Sequence, residues 1–302
     1  MTIPTSPSFG IGTAPQQVSY ADLLRVWQEA DTIPEIEHAW AFDHLLPIGG
    51  DKDGPIFEGW TLLSALAART SRLRIGLLVT SNRIRPPALL AKMAATVDNV
   101  SGGRLDFGIG AGSRTDIPWA RREYDAYGLP YSNAGDAVGS LAEALTVIRR
   151  LWDEDQPFDF DGDYLHLAGA FCNPKPVQRP HPPIVIGGQA SATLRVVAEH
   201  ADVWNFPGGD IDAALRRGAV LDRFCAEIGR DPGAITRSLV LPVAYDDPGP
   251  TRDVITKAAA AGFGHLVLSL PAPYPEHVAQ WVASELIGKV ATESFDQADQ
   301  QG

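Results

Sequence analysis

The sequence predicts an α/β fold, a (β/α)₈ barrel with insertions near its C-terminal mouth, on three observations. Eight short apolar segments, near residues 9, 40, 76, 107, 185, 204, 240 and 268, read as strands. Nearly all are followed by apolar residues three and four apart, the mark of a helix that buries one face. Strands apolar on both faces, alternating with such helices, build a parallel sheet covered on its outside, and eight units close into a barrel. Periodicity does not show closure, so an open doubly wound sheet stays as the alternative. The 302 residues suit one such barrel, a single domain over 1–302 with an ordered core at about 8–292.

Phe9-Gly10-Ile11-Gly12 is a short strand, and Ser19 precedes a helix-periodic segment running to about Ala30. Ala39-Trp40-Ala41-Phe42 ends at Asp43-His44 and a Gly-rich, charged loop from Pro47 to Pro55. Trp60, Leu63, Leu66 and Ala67 have helical spacing, and Leu73 to Val79 is a nearly continuous apolar strand. Pro86 and Pro87 open a second helix, which Ser101-Gly102-Gly103 ends. The strand Leu105 to Gly110 leads through Ala111-Gly112-Ser113 into a polar, aromatic segment, read as loop to about Ser132. Val138, Leu141, Leu145, Ile148 and Trp152 mark one helical face.

Phe158 to Leu167 alternates around Asp161-Gly162 and reads as an inserted hairpin. Its three aspartates lack the Gly and downstream Glu of an EF-hand loop, so calcium is not favoured. Pro182 to Gly188 is a strand with a glycine exit, backed by Leu194 and Val197, and Ala201 to Phe206 is another. A helix near Ile211 to Ile228, a strand Ser238 to Val243, a helix near Thr251 to Ala261, a strand His265 to Leu270 and a terminal helix complete the pattern.

A formal charge of −12, from 37 acidic against 25 basic residues, works against nucleic acid and anionic membranes as partners. Small organic molecules are the better partners. Cys172 and Cys225 offer neither a disulfide framework nor a closed zinc site. With no basic start and apolar run at Met1 to Tyr20, and no long apolar span, the expectation is a cytoplasmic protein.

Two glycine clusters lie just beyond strand ends: Gly108, Gly110 and Gly112, then Gly187 and Gly188. Without side chains they let backbone N–H groups approach an anionic oxygen, so phosphate contact is one reading and a plain turn the other. His44, at the end of the second strand, can give or hold a proton near neutral pH, and a neighbouring carboxylate such as Asp43 can set its tautomer. A solvent-facing loop histidine is the alternative. Ser113, His181 and Asp202 could be imagined as a hydrolytic triad, but Ser113 lacks the nucleophile-elbow motif.

In combination, Ala41-Phe42-Asp43-His44-Leu45, Arg83-Ile84-Arg85-Pro86-Pro87 through Lys92, Ser101-Gly102-Gly103-Arg104-Leu105 with Gly108 to Gly112, Pro182 to Gly188 and Ala201 to Asn205 resemble the luciferase-like monooxygenase superfamily, particularly its coenzyme F420 (deazaflavin) branch. The resemblance implies a homodimeric barrel that binds F420 and passes hydride to or from a small organic substrate. His44 matches a catalytic residue beside the reactive ring, and Asp43 its paired acid, an orienter of the loop or of His44. A non-proline cis peptide near Leu77-Leu78 is implied behind the ring. Thr80 matches a polar position near the ring or ribityl chain, Gly110, Ala111 and Gly112 match a stretch of close backbone approach to the cofactor, and Gly187, Gly188 and Gln189 match the phosphate segment. Ser113 departs from the sugar-phosphate dehydrogenases, which carry an acid there. The alternatives are an FMN-dependent monooxygenase fed by a separate flavin reductase and a non-catalytic deazaflavin-binding protein.

Overall fold

The computed structural model describes residues 7–114 and 116–290, so the expected core limit at 292 lies just outside the described residues. The strands are β1 (Ser8–Thr13), β2 (His38–Ala41), β3 (Arg74–Leu77), β4 (Thr80–Ser81), β5 (Leu105–Gly110), β6 (Phe158–Asp161), β7 (His166–Ala170), β8 (Ile184–Gly187), β9 (Val203–Phe206), β10 (Thr236–Pro242) and β11 (His265–Leu270). The helices are α1 (Tyr20–Asp31), α2 (Gly59–Ala67), α3 (Pro87–Ser101), α4 (Pro118–Tyr127), α5 (Ala134–Asp153), α6 (Ser191–His200), α7 (Ile211–Glu227), α8 (Gly249–Ala260) and α9 (Val278–Trp281).

Parallel pairing runs β3-β2-β1-β11-β10-β9-β8-β5, and the β3–β5 pair closes the ring. Closure rules out the open sheet, and all eight predicted strands lie in the barrel. β6 and β7 form the predicted antiparallel hairpin outside it. β4 continues β3 past a bulge: Ile75 pairs with Leu105 but Thr80 with Ile109, so five steps on one strand answer four on the other. The cis peptide lies in this bulge, at Leu78-Val79, one bond beyond the Leu77-Leu78 position the resemblance implied.

Local chemistry explains the helix ends. The Ser19 hydroxyl accepts from the Asp22 amide at 3.1 Å at the start of α1, and Glu58 caps α2 through the Trp60 and Thr61 amides. Pro87 starts α3, and Gly102, at φ 68°, ends it. The segment read as loop to Ser132 contains α4, which the sequence reading missed. Its polar surface hides a narrow buried stripe of Ala120, Glu123 and Tyr124, but Pro118 at its start and Gly128 at φ 62° after its end were visible signals.

The barrel lumen is filled, and glycines make the room. A Cβ on Gly10 would lie 1.7 Å from His38 Nδ1, and one on Gly76 would lie 2.4 Å from the Trp40 ring. Trp40, Val185 and Val267 pack centrally against Leu78, Val203 and Val240. Below them the His38 and His265 rings stack at 3.9 Å, nearly parallel. Trp40 Nε1 donates to His38 Nδ1 at 2.8 Å, and Asn205 and Ser238 extend the polar chain to His265. The larger core lies outside the strands, against the helices.

Burial holds both histidines neutral: it pushes His38 well below the usual range, helped by the His265 neighbour, and His265 down to about 4. The unfolded chain protonates each near pH 6.5, whereas the folded chain resists, so this stability is full above about pH 6.5 and is lost as pH falls towards 4. At about 1.4 kcal/mol per pH unit, His265 alone should remove ~2 kcal/mol between pH 6.5 and 5. Urea unfolding at both pH values checks this; equal stabilities would contradict it.

Candidate active site

The C-terminal ends of the parallel strands gather Asp43, His44, the bulge and the glycine exits on one rim. The adjacent residues Asp43 and His44 face different partners. Asp43 is buried, and its carboxylate receives both terminal nitrogens of Arg85, at 2.6 and 2.9 Å. The Thr80 hydroxyl donates to Asp43 and accepts from Trp60 Nε1 at 3.2 Å, and Arg85 also pairs with Glu58. Burial alone would lower the Arg85 pKa, but Asp43 and Glu58 outweigh it and raise it. This bidentate, buried network ties the β2 exit to β4 and α2. Thr80 therefore spends its hydroxyl on the network rather than on the open mouth.

His44 is held by Glu123 of α4, not by Asp43. Its Nδ1 lies 3.2 Å from both carboxylate oxygens. Glu123 also accepts from the amides of Leu45 at 2.5 Å and Leu46 at 3.3 Å. Burial would raise the Glu123 carboxyl, but the His44 ring and these amides overcome that and hold it below the usual range. Trp119 lies edge-on to the His44 ring at 5.0 Å, and Phe42 at 5.7 Å. Glu123 escaped the sequence reading because its helix did.

The glycines divide by what they touch. A Cβ on Gly110 or Gly187 would press on Val79, at 3.0 and 3.2 Å, so both make room for the bulge. Leu78 points into the lumen cluster and Leu77 into the outer core. The Ala111 carbonyl accepts from Arg83 Nε at 3.1 Å, and Gly112, at φ 88°, sits against Ser81, Arg83 and Tyr124. The Gly188 amide is spent on the Asn205 carbonyl at 3.2 Å, and Gln189 is exposed.

Next to that corner, α6 begins after Ala190, which supplies no side-chain cap, leaving its first N–H groups open. Arg217 reaches Ser191 Oγ at 3.0 Å, and its buried Nε has no partner. On the other side of the bulge, a cleft of about 530 Å³ is lined by Asn82, Arg83, Ser140 and Leu129 among others. Asn82 Oδ1 and Arg83 Nη1 are buried there without partners. Open donors beside α6 suit an anionic group, and the orphaned acceptor of Asn82 and donor of Arg83 suit the polar edge of a ligand in the cleft. No group of three metal-ligating side chains occurs among the described residues, and none of their helices is long and apolar enough to cross a membrane.

The luciferase-like monooxygenase family model matches residues 3–296. Pyrimidine monooxygenase RutA of Cronobacter sakazakii is 34% identical over 212 residues, 67% of this chain and 58% of that protein. The FMNH2-dependent dimethylsulfone monooxygenase of Pseudomonas putida is 29% identical over 75% of this chain and 62% of its own length. This chain thus spans about six-tenths of each of these two relatives. Among solved structures, an F420-dependent secondary alcohol dehydrogenase in complex with an F420-acetone adduct superposes with a TM-score of 0.81 at 19% identity, over 95% of this chain and 99% of that one. That likeness establishes the shared fold.

Removing Asp43 leaves Arg85 buried with only Glu58 as a carboxylate partner, so Asp43→Ala should cost about 2–3 kcal/mol of unfolding free energy, less than the ~3–5 kcal/mol of a fully uncompensated buried charge. Urea denaturation at pH 7.5 measures it. A cost below about 1 kcal/mol would show that the network does not hold the rim.

Proposed function

This chain belongs to the luciferase-like monooxygenase family, and on that premise we propose that it is an oxidoreductase that passes hydride between coenzyme F420 and a small organic substrate at the barrel mouth. The observation that carries this reading is the His44–Glu123 pair on the rim. Hydride transfer at a carbon bearing oxygen needs a partner for the proton on that oxygen, and a histidine backed by a carboxylate is such a partner.

The residues present accord with a flavin-type cofactor, of which the deazaflavin is the one proposed. Leu78, Val79, Gly110 and Ala111 would form the surface beside the ring, and the open start of α6 with Gln189 and Arg217, beside the tight Gly187-Gly188 corner, would receive the phosphate. A bound deazaflavin supplies the hydride donor or acceptor. His44 exchanges the proton, Glu123 holds its ring, and the Asp43–Arg85–Glu58 network fixes the strand exits around them. Asp43, bound to Arg85, would orient the rim loop, one of the two roles the motif implied, and Glu123 the His44 ring.

A second reading is favoured by sequence likeness to the two monooxygenases: FMN, reduced by a separate reductase, as the cofactor for oxygenating a small substrate. Anaerobic titration of the apoprotein with each oxidised and reduced cofactor separates the two. Micromolar F420 binding without FMN binding is expected; tight FMN binding alone would sink the F420 reading.

Within the F420 reading, folded His44→Ala should bind F420 within about threefold of wild type yet transfer hydride ~10²- to 10⁴-fold more slowly. Stopped-flow absorbance under saturating cofactor measures the rate. Unimpaired transfer would remove His44 from the chemistry.

A further inference from the structure

We infer that Glu123 is a positioning residue that fixes the tautomer of His44, holding the proton on Nδ1 so that the Nε2 lone pair is the atom offered to substrate. The inference rests on the reading that His44 exchanges the substrate's proton, and it adds which nitrogen does so and in which form.

Both Glu123 oxygens lie 3.2 Å from His44 Nδ1. An ionised carboxylate only accepts hydrogen bonds, so Nδ1 carries the hydrogen. The charge on Glu123 is itself secured: its side chain is 3% exposed, and Oε1 takes the amides of Leu45 and Leu46, the two residues that follow His44. One carboxylate thus holds both the ring and the backbone of the loop that carries it. Asp43 has its oxygens committed to Arg85 and Thr80, which leaves Glu123 as the acid paired with the ring.

In the neutral state Nε2 is then a hydrogen-bond acceptor. It can take a proton from a substrate O–H or N–H as hydride leaves the adjoining carbon for oxidised F420. The substrate loses two electrons and two hydrogens, one as hydride to the cofactor and one as a proton to Nε2. Glu123 meets the resulting imidazolium with a fixed negative charge.

The substitution that separates holding the loop from setting the tautomer is Glu123→Gln. The glutamine carbonyl, in the place of Oε1, can still accept from Leu45 and Leu46, while its NH₂ group, in the place of Oε2, meets the ring as a donor and favours the ring hydrogen on Nε2. Side-chain ¹⁵N–¹H correlation spectra at pH 8, with His44 assigned by its loss in His44→Ala, report the tautomer without cofactor or substrate. Wild type should show His44 protonated at Nδ1, and folded E123Q should show it at Nε2. Anaerobic hydride transfer to F420 should fall about 10³-fold in E123Q with F420 affinity retained.

A wild-type His44 protonated at Nε2 overturns the inference whether or not E123Q folds. So does a folded E123Q that switches tautomer and keeps the wild-type rate. Full hydride transfer by His44→Ala would instead sink the proton-exchange reading, whatever tautomer the spectra report.

Discussion

Space inside a closed ring of eight strands is the constraint on which the rest of this structure depends. Large rings occupy the lumen only because the strand facing each of them has no side chain at the point of contact, as at Gly10 beside His38 and Gly76 beside Trp40. At Gly108 even a Cβ would lie 1.9 Å from the Leu77 carbonyl oxygen, where β3 and β5 close the barrel. The same rule reaches the mouth, where Gly110 and Gly187 give Val79 its place. Two of the glycines that read as phosphate contacts, Gly110 and Gly187, are therefore first a condition for the bulge.

Above that filled lumen the rim is held by charge in two separate units. Arg85 gathers Asp43 and Glu58, with Asp43 wholly buried, and joins the exits of β2 and β4 to the start of α2. Glu123 gathers the ring of His44 and two loop amides, joining the β2 exit to α4. Successive residues thus serve different ends: Asp43 is turned inward as structure, and His44 is left partly accessible beside Trp119. Separating the two carboxylates leaves Glu123 to act on the ring without sharing its charge with an arginine.

The sequence by itself determined the eight barrel strands and the helices packed on them, though not α4, because burial on one or both faces leaves a period that neighbouring residues reveal. It also placed Asp43, His44, Thr80 and the glycine exits at strand ends, from which a common rim follows once the strands are parallel. Motif order was enough to suggest the family. What tertiary structure decided were the pairings between distant segments: His44 meets Glu123 across 79 residues and Arg85 meets Asp43 across 42. No local period encodes such contacts. Adjacency in the chain suggested Asp43 as the partner of His44, but neighbours leaving the end of a strand point in different directions. Only the folded barrel, with α4 laid over the β2 exit, shows which acid the histidine meets.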